Sequence, residues 1–437
     1  MKKSIRILIG IGCCILLSTS WVIAFNIKST AEKQLVLIDR ATELINDGVF
    51  IRAVPLLEEA AGYNGAHTGT AENMLKKIYL TLIDNRGFPR RYISLLEKQM
   101  NRRDPDPSVF IEAATFYFNT SKIQEALAVL RNGIDQTGDA NIKEQYESTR
   151  YSYEMSRTSY ENITALFEQT IQVQNEGKWG IAGADGLIII PCEYDKVSTF
   201  NKDRVIVKKE GITYAVDKSN NRIAVIHENN YDFGNLAENR IAFLFEDGWR
   251  RVTGELVPGS NRFEEIGMYS QGHAAAKVNG KWGVIDLFDK WLIPAEYNGI
   301  ITDELGRCYA QGALFVQNGD YVYLFTNGSF TTNAYEDAHP FSDEGYAAVK
   351  KNGKWGFIDK NGYEVISYIY DDALSFGQHL AAVKTGEFWG YINIYGHPVI
   401  DAVFIDAKSF SGGSAPVLTE KGWQFITLLE YKKGISL

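Results

Sequence analysis

The chain has 437 residues, 45% of them hydrophobic and 13% aromatic, with a formal net charge of -9 at pH 7. Its apolar content excludes a disordered chain, and its length exceeds what one hydrophobic core serves. The acidic balance gives no electrostatic reason to bind nucleic acid or an anionic membrane surface.

Lys2, Lys3 and Arg6 precede an uncharged, largely apolar run from Ile7 to Phe25. That run is close to the ~20 residues a helix needs to cross a bilayer core. The basic residues should stay in the cytoplasm and place the rest of the chain outside. The run has no clear small-x-small cleavage site, so an uncleaved signal anchor over residues 7–27, behind a basic tail of residues 1–6, is expected rather than a removed signal peptide. The expected location is the cell membrane, single-pass, with the bulk of the chain extracytoplasmic. Cys13 and Cys14 fall inside the run. Cys192 and Cys308 have no C-x-x-C spacing and read as small core residues.

From Ser29 the apolar residues take a helical period, with Leu35, Ile38, Ala41, Leu44 and Ile45 on one face. Asp47-Gly48 breaks that helix, and Ala53, Leu56, Leu57 and Ala60 start a second face that Gly62 ends. The layout returns before Tyr92 and before Ala126, and Asp104-Pro105-Asp106-Pro107 separates two hairpins. Residues 139 to 156 read as a further helix. The phrase Lys122-Ile123-Gln124-Glu125-Ala126-Leu127-Ala128-Val129-Leu130 resembles the second helix of a tetratricopeptide-like hairpin. The signature Trp and Gly-x-x-Tyr of the first helix are missing, and a plain helical bundle is the competing arrangement. If the hairpins stack as that resemblance implies, their concave face would bind a protein or peptide. The Arg90-Arg91 and Arg102-Arg103 pairs read as solvated helix ends.

Beyond residue 158 the period changes again. A Trp-Gly phrase recurs at Trp179-Gly180, Trp282-Gly283, Trp355-Gly356 and Trp389-Gly390, and in altered form at Thr213, Trp249, Tyr321 and Trp423. A second marker, an aromatic usually followed by a carboxylate, alternates strictly with it. It stands at Tyr160-Glu161, Tyr194-Asp195, Tyr231-Asp232, Phe263-Glu264, Tyr297-Asn298, Tyr335-Glu336, Tyr370-Asp371 and Phe404-Ile405. Eight units of about 35 residues follow. Within a unit, Tyr346-Ala347-Ala348-Val349-Lys350 alternates as a half-buried strand does, Asn352-Gly353 signals a tight hairpin, and Trp355 to Asp359 is the return strand. Ile190-Pro191 and Ile293-Pro294 stop the third strand.

Gly-Lys-Trp-Gly, Ile-Asp, Gly, Ile-Pro and Tyr-Asp, recurring in that order over about 280 residues, make this region similar to the bacterial WG-repeat (KWG-repeat) proteins. The resemblance implies a propeller-like β array, with an open stack of hairpins, a β solenoid, as runner-up. The expected organisation is therefore multidomain: an anchor, an α-helical tetratricopeptide-like segment over 28–158, and an all-β WG-repeat domain over 159–437. The repeat aromatics Trp179, Trp249, Trp282, Tyr321, Trp355, Trp389 and Trp423 read as core residues between units. Gly180, Gly283, Gly356 and Gly390 allow close backbone approach.

No residue pattern names a reaction. The six His have no metal-like spacing, and there is no G-x-S-x-G, Walker A or H-E-x-x-H motif. The recurring carboxylates Glu161, Asp195, Asp232, Glu264, Glu336 and Asp371 read as local backbone acceptors rather than a cation ring. The expectation is a non-enzymatic binding or scaffold protein without catalytic, metal or cofactor residues, presenting its array to a protein or cell-wall glycan ligand. An extracellular glycan hydrolase and a purely structural spacer are the alternatives. The unusual loops, 217–230 and 302–312, and the departures at Thr213, Arg250 and Tyr321 are where function is expected.

Overall fold

The computed structural model describes residues 28–225, 231–253 and 257–431. The anchor expected over 7–27, the basic tail and Cys13 and Cys14 lie outside the described residues, as does part of the 217–230 loop. Among the described residues no helix is long and apolar enough to cross a membrane. The chain divides into two compact units between Thr149 and Arg150.

The first unit is helical: α1 (28–46), α2 (Phe50–Gly62), α3 (Thr68–Thr81), α4 (Phe88–Met100), α5 (Pro107–Asn119), α6 (Ile123–Thr137) and α7 (Ala140–Thr149). Gly48, at φ +74°, turns the chain after α1. Asp106 caps α5 by accepting the Ser108 N–H at 2.9 Å, and Pro107 is the first helical residue. Ala53, Tyr92 and Ala126, the residues that repeat in sequence, are buried on α2, α4 and α6.

Carboxylates tie successive helices together. Glu112 accepts from Lys76 Nζ at 2.6 Å and from the Tyr92 hydroxyl at 2.7 Å. Glu72 is fully buried, where burial alone would raise its pKa. Hydrogen bonds from Gln99 at 2.9 Å and Arg102 at 2.5 Å outweigh that and hold it below the usual carboxylate value. Arg91 reaches Glu58 at 3.1 Å. One member of each Arg pair is thus an interhelical partner rather than a merely solvated end.

The expected helix over 139–156 stops at Thr149, and Tyr153–Met155 is a strand. The β unit starts at Arg150 because this strand pairs antiparallel with Gly422–Leu428 near the other end of the unit. Helical periodicity cannot see a partner some 270 residues away.

Eight small antiparallel sheets make an eight-bladed β-propeller. In each complete blade a two-residue strand a starts the sheet, and strands b, c and d follow. Blade 1 is Asn162–Ile163, Thr170–Asn175, Lys178–Gly183 and Ile188–Tyr194. Blades 2 to 8 begin at Lys196, Asp232, Glu265, Gly299, Asp337, Asp372 and Asp406. Blade 3 has three regular strands, and bridges Trp249–Phe263 and Val252–Pro258 stand in for its fourth. In blade 8, strand d is Tyr153–Met155, so the first strand of the unit completes its last blade. A separate apolar cluster fills each of the eight steps around the ring. Trp389 with Phe410 and Val417 joins blades 7 and 8, and Trp423 with Leu166 and Val173 joins blades 8 and 1. The array is therefore closed rather than an open stack, and every blade covers its neighbour's apolar face.

Candidate functional site

The repeat phrase builds the ring. Trp355, Trp389 and Trp423 are 5%, 6% and 8% exposed, and Trp179, Trp249 and Trp282 are half-buried, so these indoles pack within and between blades. Asn352 and Gly353, at φ +53° and +74°, form the expected b–c hairpin turn. Gly356 has no room for a side chain. A Cβ there would lie 2.8 Å from the Ile366 carbonyl oxygen, and at Gly180, Gly283 and Gly390 the corresponding distances are 2.4, 2.5 and 2.6 Å. The glycine lets strand d bulge across the strand that carries the Trp.

Blade 5 departs from its expected alignment. Its hairpin pairs Asn318 with Tyr321 and Gln317 with Val322, while blade 6 pairs Lys351 with Lys354 and Lys350 with Trp355. Val322, buried at 3%, therefore takes the Trp place, and Tyr321 is 50% exposed. The reason is the turn. Gly319 is the first of the two turn residues, where Asn352 stands in blade 6, so the aromatic falls one place early.

Four of the six recurring carboxylates serve the hairpins, and Asp232 instead accepts the N–H of Phe233 at 2.9 Å and Lys196 Nζ at 2.7 Å. Asp195, Glu264, Glu336 and Asp371 accept the N–H of Glu210, Gly280, Gly353 and Gly386 at 2.9, 3.0, 3.0 and 2.8 Å. Lys178 and Lys354 reach Asp195 and Asp371 at 2.6 and 2.5 Å, and these lysines hold both carboxyls below the usual range. Among the described residues no His, Cys, Asp or Glu side chains group in a way that could hold a metal ion. Cys308 is buried between blades 4 and 5, and burial pushes its thiol up to about 12.

What the repeats leave is an axial cavity of about 880 Å³, lined by the a–b connections of blades 1, 4, 5, 6, 7 and 8. Those connections are six residues long in six of the blades (374–379 in blade 7, for example) and seven in blade 6. In blade 5 the connection between Ile300 and Ala313 has twelve. The extra residues make a finger. Asp303 Oδ1 accepts the N–H of Leu305 and Arg307 at 3.0 and 2.9 Å, and Gly306 turns at φ +91°. The tip, Leu305, is buried among Ala237 of blade 3, Met268 of blade 4, and Ala165 and Phe167 of blade 1. Its carbonyl accepts from Asn235 at 3.1 Å, and Met268 N–H donates to the Gly306 carbonyl at 2.9 Å. Glu304 pairs with Lys408 of blade 8. A loop that touches blades 1, 3, 4 and 8 from blade 5 must lie on the axis. It fills one part of the channel and walls the cavity that remains.

The wall mixes charge with aromatic surface. Arg307 pairs with Asp303 at 2.6 Å and lies 5.9 Å over the Phe167 ring. Lys408 lies 5.3 Å over Trp423. His339 stacks on Trp355 at 5.0 Å, and burial lowers its pKa. At the b-strand entrances, side chains link neighbouring blades. Gln271 accepts the Gln311 N–H at 3.1 Å, Gln311 donates to the Asp343 carbonyl at 3.0 Å, and Glu344 accepts the His379 N–H at 2.8 Å. None of Phe167, Arg307, His339 or Lys408 is marked by the repeat template. The one sequence signal was length, in the 302–312 loop. Thr213 is buried in the Trp place of blade 2, and Arg250 lies 5.2 Å over Phe245 and pairs with Asp247, so both departures are packed into their blades.

The chain matches the WG containing repeat family over residues 179–211, 262–282, 282–303, 334–355, 355–387 and 389–423. None of the curated proteins matches it. Among solved structures it is similar to the AfRom2 CNH domain (12% identity, TM-score 0.31), covering 55% of this chain and 96% of that one. It is also similar to the Neurospora crassa Pan2 WD40 domain (12%, TM-score 0.33), covering 63% and 88%. A third is the extracellular domain of the putative hybrid two component system BT3049 from B. thetaiotaomicron (10%, TM-score 0.34), where coverage is 63% of this chain and 42% of that domain. The spans that match the WG containing repeat are thus built into the blades of an eight-bladed β-propeller.

Proposed function

We propose that this is a non-enzymatic binding or scaffold protein that holds a protein ligand in the axial cavity of its propeller. The observation that carries the reading is the blade-5 finger, which converts an axial channel into a walled recess of about 880 Å³. A protein segment suits it better than a glycan. Trp355, Trp389 and Trp423 are sealed between blades and offer no faces for sugar rings. The finger carboxylates Asp303 and Glu304 are paired with Arg307 and Lys408, unlike the acid and base pair a hydrolase needs. The apolar run of residues 7–25 supports placing this unit outside a cell membrane, tethered by its N-terminus.

The test is capture from envelope extract on immobilised full-length chain, beside a Thr302→Trp variant that fills the recess. A stoichiometric protein retained by the native chain and lost by the variant is the expected result. Equal retention by both would remove the cavity from the reading. Saturable binding of purified peptidoglycan with no protein partner would replace the protein ligand by a glycan, and turnover of that glycan would make the protein a hydrolase.

A further inference from the structure

The lining of the cavity is unbalanced in charge. Glu168, Asp303, Glu304, Asp343 and Glu344 face two cations, Arg307 and Lys408. Both cations are already matched, by Asp303 and Glu304 of the finger. The surplus is Glu168, Asp343 and Glu344, all on the a–b turns at the mouth, and Glu168 and Asp343 are exposed. A second observation concerns the cavity wall. Ser342 also lines the cavity, is 8% exposed, and its hydroxyl has no hydrogen-bond partner among the described residues. A buried hydroxyl left unpaired costs stability unless something else satisfies it.

We propose that the cavity takes a basic peptide segment, with a Lys or Arg side chain entering past Glu168, Asp343 and Glu344. This rests on the binding function proposed above and names its ligand class. The carboxylates draw the cation to the mouth through their summed negative field. Phe167 shows that the wall accepts a guanidinium, because it already carries that of Arg307 on its face. The volume suits a short peptide segment rather than a lone ion.

Three labelled nonapeptides, alike except for a central Arg-Phe-Arg, Gln-Phe-Gln or Glu-Phe-Glu, would be titrated against the full chain by fluorescence anisotropy. The basic peptide should bind tightest and weaken as salt rises. A combined Glu168→Gln, Asp343→Asn, Glu344→Gln variant, which keeps every side-chain acceptor, should melt as the native chain does and lose about tenfold in affinity for the basic peptide. If the neutral or acidic peptide binds as tightly as the basic one, and Thr302→Trp abolishes that binding, the cationic preference falls and the binding cavity stands. If Thr302→Trp leaves binding of every peptide unchanged, both fall.

Discussion

Lys178 in the Gly-Lys-Trp-Gly phrase of blade 1 reaches Asp195 of blade 2 at 2.6 Å, and Lys354 reaches Asp371 one blade on at 2.5 Å. The two sequence markers that alternate along the chain are therefore partners. In these two blades the Lys meets the carboxylate of the next, and that carboxylate also holds its own hairpin turn. The pair gives Lys178 and Lys354 a structural role although both lie on the surface.

Acid should loosen these straps. Hydrogen bonds from Lys178 and Lys354 lower the pKa of Asp195 and Asp371 below their ordinary 3.8, so the folded state binds protons less readily than the unfolded state. Their stabilisation is complete above that value and fades as pH falls through the lower folded value. An Asp195→Asn, Asp371→Asn variant should lose part of the native chain's fall in melting temperature below pH 4. Thermal scans from pH 3 to 7 check this, and parallel profiles would refute it.

The glycine after the Trp is a steric requirement. Gly180→Ala would drive a Cβ to within 2.4 Å of the Ile190 carbonyl oxygen and should destabilise the propeller by about 2–3 kcal/mol. Gly353→Ala meets no atom within 4 Å, but its φ of +74° should still cost about 1 kcal/mol. Urea unfolding of both variants measures the difference, and equal losses would contradict the crowding.

The blade-5 register has its own signature. Trp355→Ala, which empties an interface between blades 6 and 7, should cost about 3–5 kcal/mol. Tyr321→Ala, at a half-exposed site, should change stability by no more than about 0.5 kcal/mol. Val322→Ala, at the true Trp place, should cost more than Tyr321→Ala. The reverse order would restore Tyr321 to the core.

The limits of the β unit can be tested by truncation. A fragment starting at residue 150 retains Tyr153–Met155, and one starting at residue 159 leaves strand c of blade 8 without its outer partner. The shorter fragment should unfold at lower urea concentration and aggregate more readily through the bare edge. Equal midpoints would mean that the strand adds nothing to closure.

Eight units, their order and the role of the Trp follow from local spacing, because each blade repeats the same hairpin chemistry. The strand at Tyr153 does not, because its partner Leu428 belongs to the far end of the unit. The cavity is harder still. His339, Arg307 and Lys408 come from three blades and meet only once the ring is drawn shut, and no repeat template marks them. The 302–312 loop announced itself by length, but its place on the axis depends on contacts with four other blades.

The clasp between Tyr153–Met155 and Gly422–Leu428 also sets the order of assembly. During synthesis the strand at Tyr153 emerges early, and its partner follows some 270 residues later. Until then seven blades can form without a closed ring, with one edge open to other chains. Contacts of such long sequence separation are slow to form, so closure is expected to be the late step of folding and the stage most vulnerable to aggregation.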